Sequence, residues 1–229
     1  MLFKDRKDAG QQLAKELTKY ARSDALVLAL PRGGVPVAFE VALALNAPLD
    51  VFLVRKLGVP GHEELAMGAI ASGGIRVLNP EVVTSLHISE AAIEQVAAQE
   101  QQELERRQRL YRDNLPAPNV RDHRRCAYGD RTVILIDDGL ATGATMRVAV
   151  KALQQQQLAH LVVGVPVSSP ETCQEFESEV DEIICAKTPR PFYSVGLWYD
   201  NFSQTTDEEV RELLDRAARN AQRSAVGAG

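Results

Sequence analysis

Cysteine is scarce in this 229-residue chain: Cys126, Cys173 and Cys185 are the only three. Their odd number and scattered spacing do not make a disulfide framework, and predict free thiols in a reducing compartment. No Cys-x-x-Cys pair offers a zinc knuckle, and His62, His87, His123 and His160 share no metal-ligand spacing, so no metal held by side chains alone is expected. An excess of positive charge is missing too. Against 31 Asp and Glu stand 26 Lys and Arg, a formal net charge of −5, which argues against a general nucleic-acid partner. No apolar run is long enough for a membrane span, and Met1 to Lys7 lacks an apolar secretory core. The expectation is a cytoplasmic protein with no membrane partner. Gly-x-Gly-x-x-Gly, the P-loop Gly-Lys-Ser/Thr and the Gly-x-Ser-x-Gly elbow are all absent, so dinucleotide binding, P-loop chemistry and that type of serine hydrolysis lose support.

What is there is an ordinary globular composition, 45% apolar and 25% charged, with enough chain to bury a substantial core. The most informative stretch is 133–145. Val133-Ile134-Leu135-Ile136 reads as a strand buried on both faces. The carboxylates Asp137 and Asp138 follow, then Gly139, Leu140, Ala141, Thr142, Gly143, Ala144 and Thr145, where Leu140 is the one bulky side chain. Met146, Ala149, Val150 and Leu153 then fall at helical spacing. Unpaired amides at a helix start, with small residues in front, suit a phosphate. Ionised carboxylates accept hydrogen bonds from sugar hydroxyls. A phosphorylated sugar satisfies both. Taken alone, the acidic pair could equally be a solvated strand end or a helix cap.

Strand–turn–helix units recur. Leu26 to Leu30 is a short buried strand, ending in Pro31-Arg32-Gly33-Gly34-Val35-Pro36 ahead of an alanine-rich helix. An arginine on such a turn is either an exposed turn residue or an anion ligand. Leu49 to Val54 reads as the next strand, with Arg55 and Lys56 at its end, either a solvated pair or a second set of anion ligands. Leu161 to Val167 and Asp181 to Cys185 complete a predicted α/β fold, an open, mainly parallel three-layer sheet of about five to six strands with helices on both faces.

From Leu57 to about Asp130 that rhythm is interrupted. Residues 57–64 read as loop, 69–78 as a hairpin, and a long charged helix starts at Ser89 and runs to about Asn114. Its thin apolar stripe (Ile93, Val96, Ala97, Leu104, Tyr111) predicts a surface position or packing against another subunit, compatible with a homodimer. Arg106, Arg107, Arg109 and Arg112 either reach a phosphate, should this helix fold over the site, or decorate the surface. The basic patch Arg121 to Arg125 leaves the same choice, and His62 is the histidine best placed in a loop. Five aromatics, Phe192, Tyr193, Trp198, Tyr199 and Phe202, gather near the C-terminus, either to stack a planar base or to close the core.

The run 133–145 resembles the signature of type I phosphoribosyltransferases, which bind phosphoribosyl pyrophosphate (PRPP). Its departure is Gly139, where that family more often has an aliphatic residue. The resemblance implies one domain over 1–229, with an insertion at about 57–130 and a C-terminal hood at about 188–229. It implies that Asp137 and Asp138 hold the ribose, that Gly139 and Ala141 to Thr145 wrap the 5′-phosphate, and that Arg32, Gly33, Gly34, Arg55 and Lys56 take the pyrophosphate. Trp198 and Tyr199 would belong to the hood against the acceptor. The implied reaction passes the phosphoribosyl group to a nitrogenous small-molecule acceptor such as a nucleobase, with Mg²⁺ carried mainly by PRPP. The alternative is a regulatory protein that binds PRPP or a nucleotide without turnover.

Overall fold

In the computed structural model, residues 2–112, 128 and 130–226 are described. Asn114, Arg121 to Arg125, His123 and Cys126 lie outside them. Five parallel strands form the central sheet. Its inner strands β1 (Leu26–Ala29), β6 (Thr132–Ile136) and β7 (His160–Val167) are apolar because both faces are covered. The edge strands are β2 (Leu49–Val51) and β8 (Glu182–Lys187), giving the order β2-β1-β6-β7-β8. Alternation sorts the inner side chains. Val27, Ile134, Ile136 and Val162 face the layer of α1 (Arg6–Glu16), α2 (Gly34–Leu45) and α7 (Asp207–Val226). Leu28, Val133, Leu135 and Val163 face α5 (Ala144–Gln154) and α6 (Pro170–Phe176). This is the open α/β sheet that the sequence predicts.

Three details differ. Leu49 to Val54 is not one strand. The chain leaves the parallel sheet after Val51, crosses at the buried Phe52 and Leu53, and enters β3 (Val54–Val59) of a second sheet. At the crossing the Ser72 amide donates to the Leu53 carbonyl at 2.8 Å, and the Ser72 hydroxyl accepts from the Leu53 amide at 2.9 Å. Consequently Arg55 and Lys56 lie within a strand, not beyond a carboxyl end. Secondly, 57–64 is not a loop. β3 pairs antiparallel with β4 (His62–Ala71), which pairs with β5 (Ile75–Leu78). A two-residue Pro60-Gly61 turn, with Gly61 at φ +78°, accounts for the loop-like composition. His62 is exposed beside that turn.

Thirdly, of its two expected positions α4 (Glu90–Arg112), preceded by the short α3 (Pro80–Ser85), takes the surface one, with its stripe turned inward and its other faces largely exposed. Ile93, Ala97, Leu104 and Tyr111 are buried within this chain, against the second sheet and α7. The thin stripe is spent internally, which removes the reason for expecting it at a subunit boundary.

The cysteine expectation is also overturned. Cys173 on α6 and Cys185 on β8 form a disulfide, with Cα atoms 6.6 Å apart. Twelve residues separate them, and only the fold, by packing α6 beside β8, brings them together. The bond removes the cysteine argument for a reducing compartment. No helix among the described residues is long and apolar enough to cross a membrane.

Candidate active site at the carboxyl edge of the sheet

β1 and β6 are neighbours, with Ala29 opposite Ile136. From β1 the chain moves outward to β2, and from β6 it moves the other way to β7. The gap between them is therefore the sheet's topological switch point, where open α/β sheets take their ligands. Two loops emerge there side by side. Pro31 to Gly34 leads into α2, and Asp137 to Gly143 leads into α5.

They touch. A Cβ built on Gly33 would meet Asp138 Oδ2 at 2.1 Å, and one on Gly34 would meet the Ile136 carbonyl at 2.7 Å. Glycine at both positions lets the arginine-bearing turn lie against the acidic pair. Both helices start without a side-chain cap. The two starts differ: at α2 the Gly34 and Val35 amides already donate to the Leu30 and Arg32 carbonyls at 3.0 and 3.1 Å and Pro36 has no N–H, whereas at α5 the Ala144 amide lies 3.4 Å from the Thr142 hydroxyl and the amides behind it begin the helix without an intrahelical acceptor. Gly143, at φ +70°, sets the start of α5; Phe176 and Thr172 of α6 close up behind it. The Thr172 hydroxyl donates to the Ala141 carbonyl at 3.2 Å. In front, Ala141, Thr142, Ala144 and Thr145 are exposed, so the cradle is open to a ligand.

Electrostatics separates the two carboxyls. Burial, then the neighbouring Asp138 charge, pushes Asp137 well above the usual carboxylate range. Burial raises Asp138 as well, opposed by a guanidinium. That guanidinium is Arg6, at the start of α1: its Nε donates to Asp138 Oδ2 at 2.8 Å. Arg6 also donates to the Ser203 carbonyl at 2.6 Å and stacks 4.0 Å from the centroid of Phe202. Sequence reading passes Arg6 over because it sits 132 positions from its partner. The one local signal is Asp5, which caps α1 through the Asp8 amide at 2.8 Å and so places Arg6 in the first turn.

The remaining predicted positions divide. The backbone carbonyl of Asp138 accepts from the Tyr199 hydroxyl at 2.5 Å. Tyr199 is 5% exposed and sits between Phe3 and Phe202, beneath the acidic pair instead of at an open rim. Trp198 is half-buried in a 3-10 turn, Val195–Trp198, and its carbonyl accepts from the Phe3 amide at 2.9 Å. The hood thus joins the two chain ends. Gly139 has a plain steric reason: a Cβ there would lie 2.6 Å from a Val195 methyl.

Arg32 reaches toward α7, 3.9 Å from Asp207. Successive side chains of β3 point to opposite faces. Arg55 faces a narrow cleft of about 30 Å³ shared with Pro31 and Thr145, held by Glu100 at 2.6 Å. Lys56 projects from the other face to Glu64, 3.6 Å away, so Arg55 and not Lys56 joins the site. Among the described residues, no three His, Cys, Asp or Glu side chains converge to hold a metal. Two adjacent carboxylates fit Mg²⁺, which takes most of its ligands from phosphate and water.

The profile of the family described as phosphoribosyl transferase domain matches residues 3–189, which include both loops. The chain belongs to that family. Two Mycobacterium tuberculosis proteins, one from each of two strains and both provisionally named phosphoribosyl transferase, are each 44% identical over 228 residues. That alignment covers 99% of this chain and 50% of theirs, so the chain spans about half the length of the curated relatives it matches. The solved structure of TT1426 from Thermus thermophilus is similar at 39% identity and a TM-score of 0.81. The match covers 95% of this chain and 100% of that one. Within the phosphoribosyl transferase fold, then, the two touching loops are the part to which chemistry can be assigned.

Proposed function

We propose that this phosphoribosyl transferase domain moves the phosphoribosyl group of PRPP to a nitrogenous small-molecule acceptor, with pyrophosphate leaving. The observation that carries the reading is the contact of the two loops at the switch point, one bearing Arg32 and the other running from the acidic pair into the α5 start, which has no side-chain cap. PRPP has a ribose with an anionic group at each end. Here an acidic pair is flanked by two anion-accepting turns, which is the matching order.

Each group has a task. Ala141 to Thr145 take the 5′-phosphate through backbone amides, and Gly143 permits the turn. Gly139 and the hood valine beside it border the same loop. Asp137 and Asp138 orient the ribose hydroxyls as positive charge develops at the anomeric carbon. Arg6 keeps Asp138 aimed and charged. Arg32, with the Gly33 amide, and Arg55 hold the pyrophosphate as it departs, while Gly34 lets the turn lie close to the acidic pair. Catalysis here rests on positioning and charge, without a covalent intermediate on the protein. Mg²⁺ brought in by PRPP would supply further neutralisation of the leaving group. Of the two hood candidates, Trp198, half-buried, is the one that can meet a planar acceptor, while Tyr199 supports Asp138 from below.

Titration calorimetry with PRPP and Mg²⁺ tests the donor, and pyrophosphate release across a panel of purines, pyrimidines and small amines tests turnover. Binding that vanishes in Asp137→Asn, with release for at least one acceptor, is the expected result. Absence of PRPP binding by the wild type would remove the reading.

A further inference from the structure

The long helix α4 turns one face toward the site. Glu100, Leu104, Arg107 and Tyr111 are spaced 4, 3 and 4 apart and so share that face. Each meets something at the pyrophosphate side. Glu100 holds Arg55. Leu104 and Arg107 line the 30 Å³ cleft with Pro31, Arg55 and Thr145. The Tyr111 hydroxyl donates to Asp207 Oδ1 at 2.5 Å, the same oxygen that lies 3.9 Å from Arg32. Along the helix, then, Arg107 falls between the contact point of Arg55 and that of Arg32.

We infer that α4 is the fourth wall of the site and that Arg107 is a direct ligand of the PRPP pyrophosphate, a third guanidinium beside Arg32 and Arg55. This rests on the PRPP reading above and adds a residue to it. A wall needed only for packing gains nothing from gathering three cations, because they repel one another. Here each has a carboxylate nearby: Arg55 pairs with Glu100, Arg107 with Glu103 at 3.0 Å, a carboxylate shared with Arg106 at 2.7 Å, and Arg32 lies 3.9 Å from Asp207. The cleft is too small to enclose a pyrophosphate, so binding exchanges carboxylate for phosphate at the guanidinium forks. Arg107 is able to make that exchange, being 41% exposed and held through a single helical neighbour.

The test is calorimetry of Arg107→Ala against wild type with three probes: PRPP with Mg²⁺, inorganic pyrophosphate with Mg²⁺, and ribose 5-phosphate. The expected result is a loss on the order of tenfold for the first two, the scale of a charge-assisted hydrogen bond, with ribose 5-phosphate unchanged within about twofold. PRPP and pyrophosphate affinities within about twofold of wild type, or an equal loss for ribose 5-phosphate, would overturn the assignment. Glu103→Gln separates ligand from scaffold: it should bind pyrophosphate at least as tightly as wild type. A loss equal to that of Arg107→Ala would mean the pair matters only to the helix, which also overturns the assignment. Should the wild type take pyrophosphate but refuse PRPP, the proposed reaction falls, and the Arg107 result with pyrophosphate alone still decides this point.

Discussion

Asp137 is held where its own ionisation is unfavourable. Its folded-state pKa is raised above 3.8 by burial and by Asp138. A raised carboxyl binds its proton more tightly when folded. Its contribution to stability is therefore complete below about pH 4 and is lost as pH rises through the raised value. Asp137→Asn keeps the oxygen that accepts from the Asp138 amide at 2.8 Å and removes the charge. The variant should melt higher than wild type at pH 8, by roughly 2–4 °C for each 1 kcal/mol relieved, with the gain vanishing near pH 4. It should also lose PRPP binding. A calorimetric melt showing no gain at pH 8 would contradict the buried-charge account. Gly139 makes a second case. Gly139→Ala should cost about 1–3 kcal/mol by overpacking against Val195, and Val195→Ala should restore most of that in the double variant. Urea titration of all four proteins measures the coupling; simple additivity would show that the two sites do not touch. Residue identity made the acidic pair and the small-residue turn readable in the chain. Arg6 was not, because an ion pair across the whole domain leaves no local spacing.

At the scale of elements, α6 is seven residues long yet braces the loop ahead of α5 through Thr172 and Phe176. Its tie to β8 is the Cys173–Cys185 bond, which closes a loop of 12 residues. Loop-closure entropy on that length is worth about 3 kcal/mol. Cys173→Ser should lower unfolding stability by roughly that amount, and added dithiothreitol should then change nothing further. Wild-type protein that loses no stability under dithiothreitol would mean that the bond does not tie α6 down. The second sheet shows what periodicity misses. Gly58, Pro60 and Gly61 read as loop, but pairing with β4 turns the same residues into a hairpin, since an antiparallel partner satisfies the backbone wherever the side chains allow. The break after Val51 is equally silent in sequence, because the apolar run continues through Phe52 and Leu53. These are buried at the crossing between sheets as deeply as strand residues are within one.

At the scale of the molecule, the site is made of pieces from both chain ends and the middle: α1, the β1 and β6 loops, α4, the hood and α7. A ligand bridging them should stabilise the whole. At a hundredfold excess over its dissociation constant, PRPP with Mg²⁺ should add about 2.7 kcal/mol, and thermal shift should detect it. Pyrophosphate alone should give a smaller shift, and a melt unmoved by either would count against a ligand spanning these elements. The sequence by itself determined the parallel α/β sheet, the acidic pair, the small-residue turn after it and the Arg-Gly-Gly turn. Each of these is a local pattern, in which burial on two faces, a helix start or a missing side chain follows from adjacent residues. Only the tertiary structure decided that Arg6 serves Asp138 and that Tyr199 lies beneath the acidic pair. It also decided that Lys56 and Arg55 take opposite faces of β3, that Cys173 meets Cys185, and that α4 lines the cleft beside Pro31 and Thr145. Those depend on which strand neighbours which and on which face a side chain takes, and contacts between distant parts of the chain are set by packing, not by spacing along it.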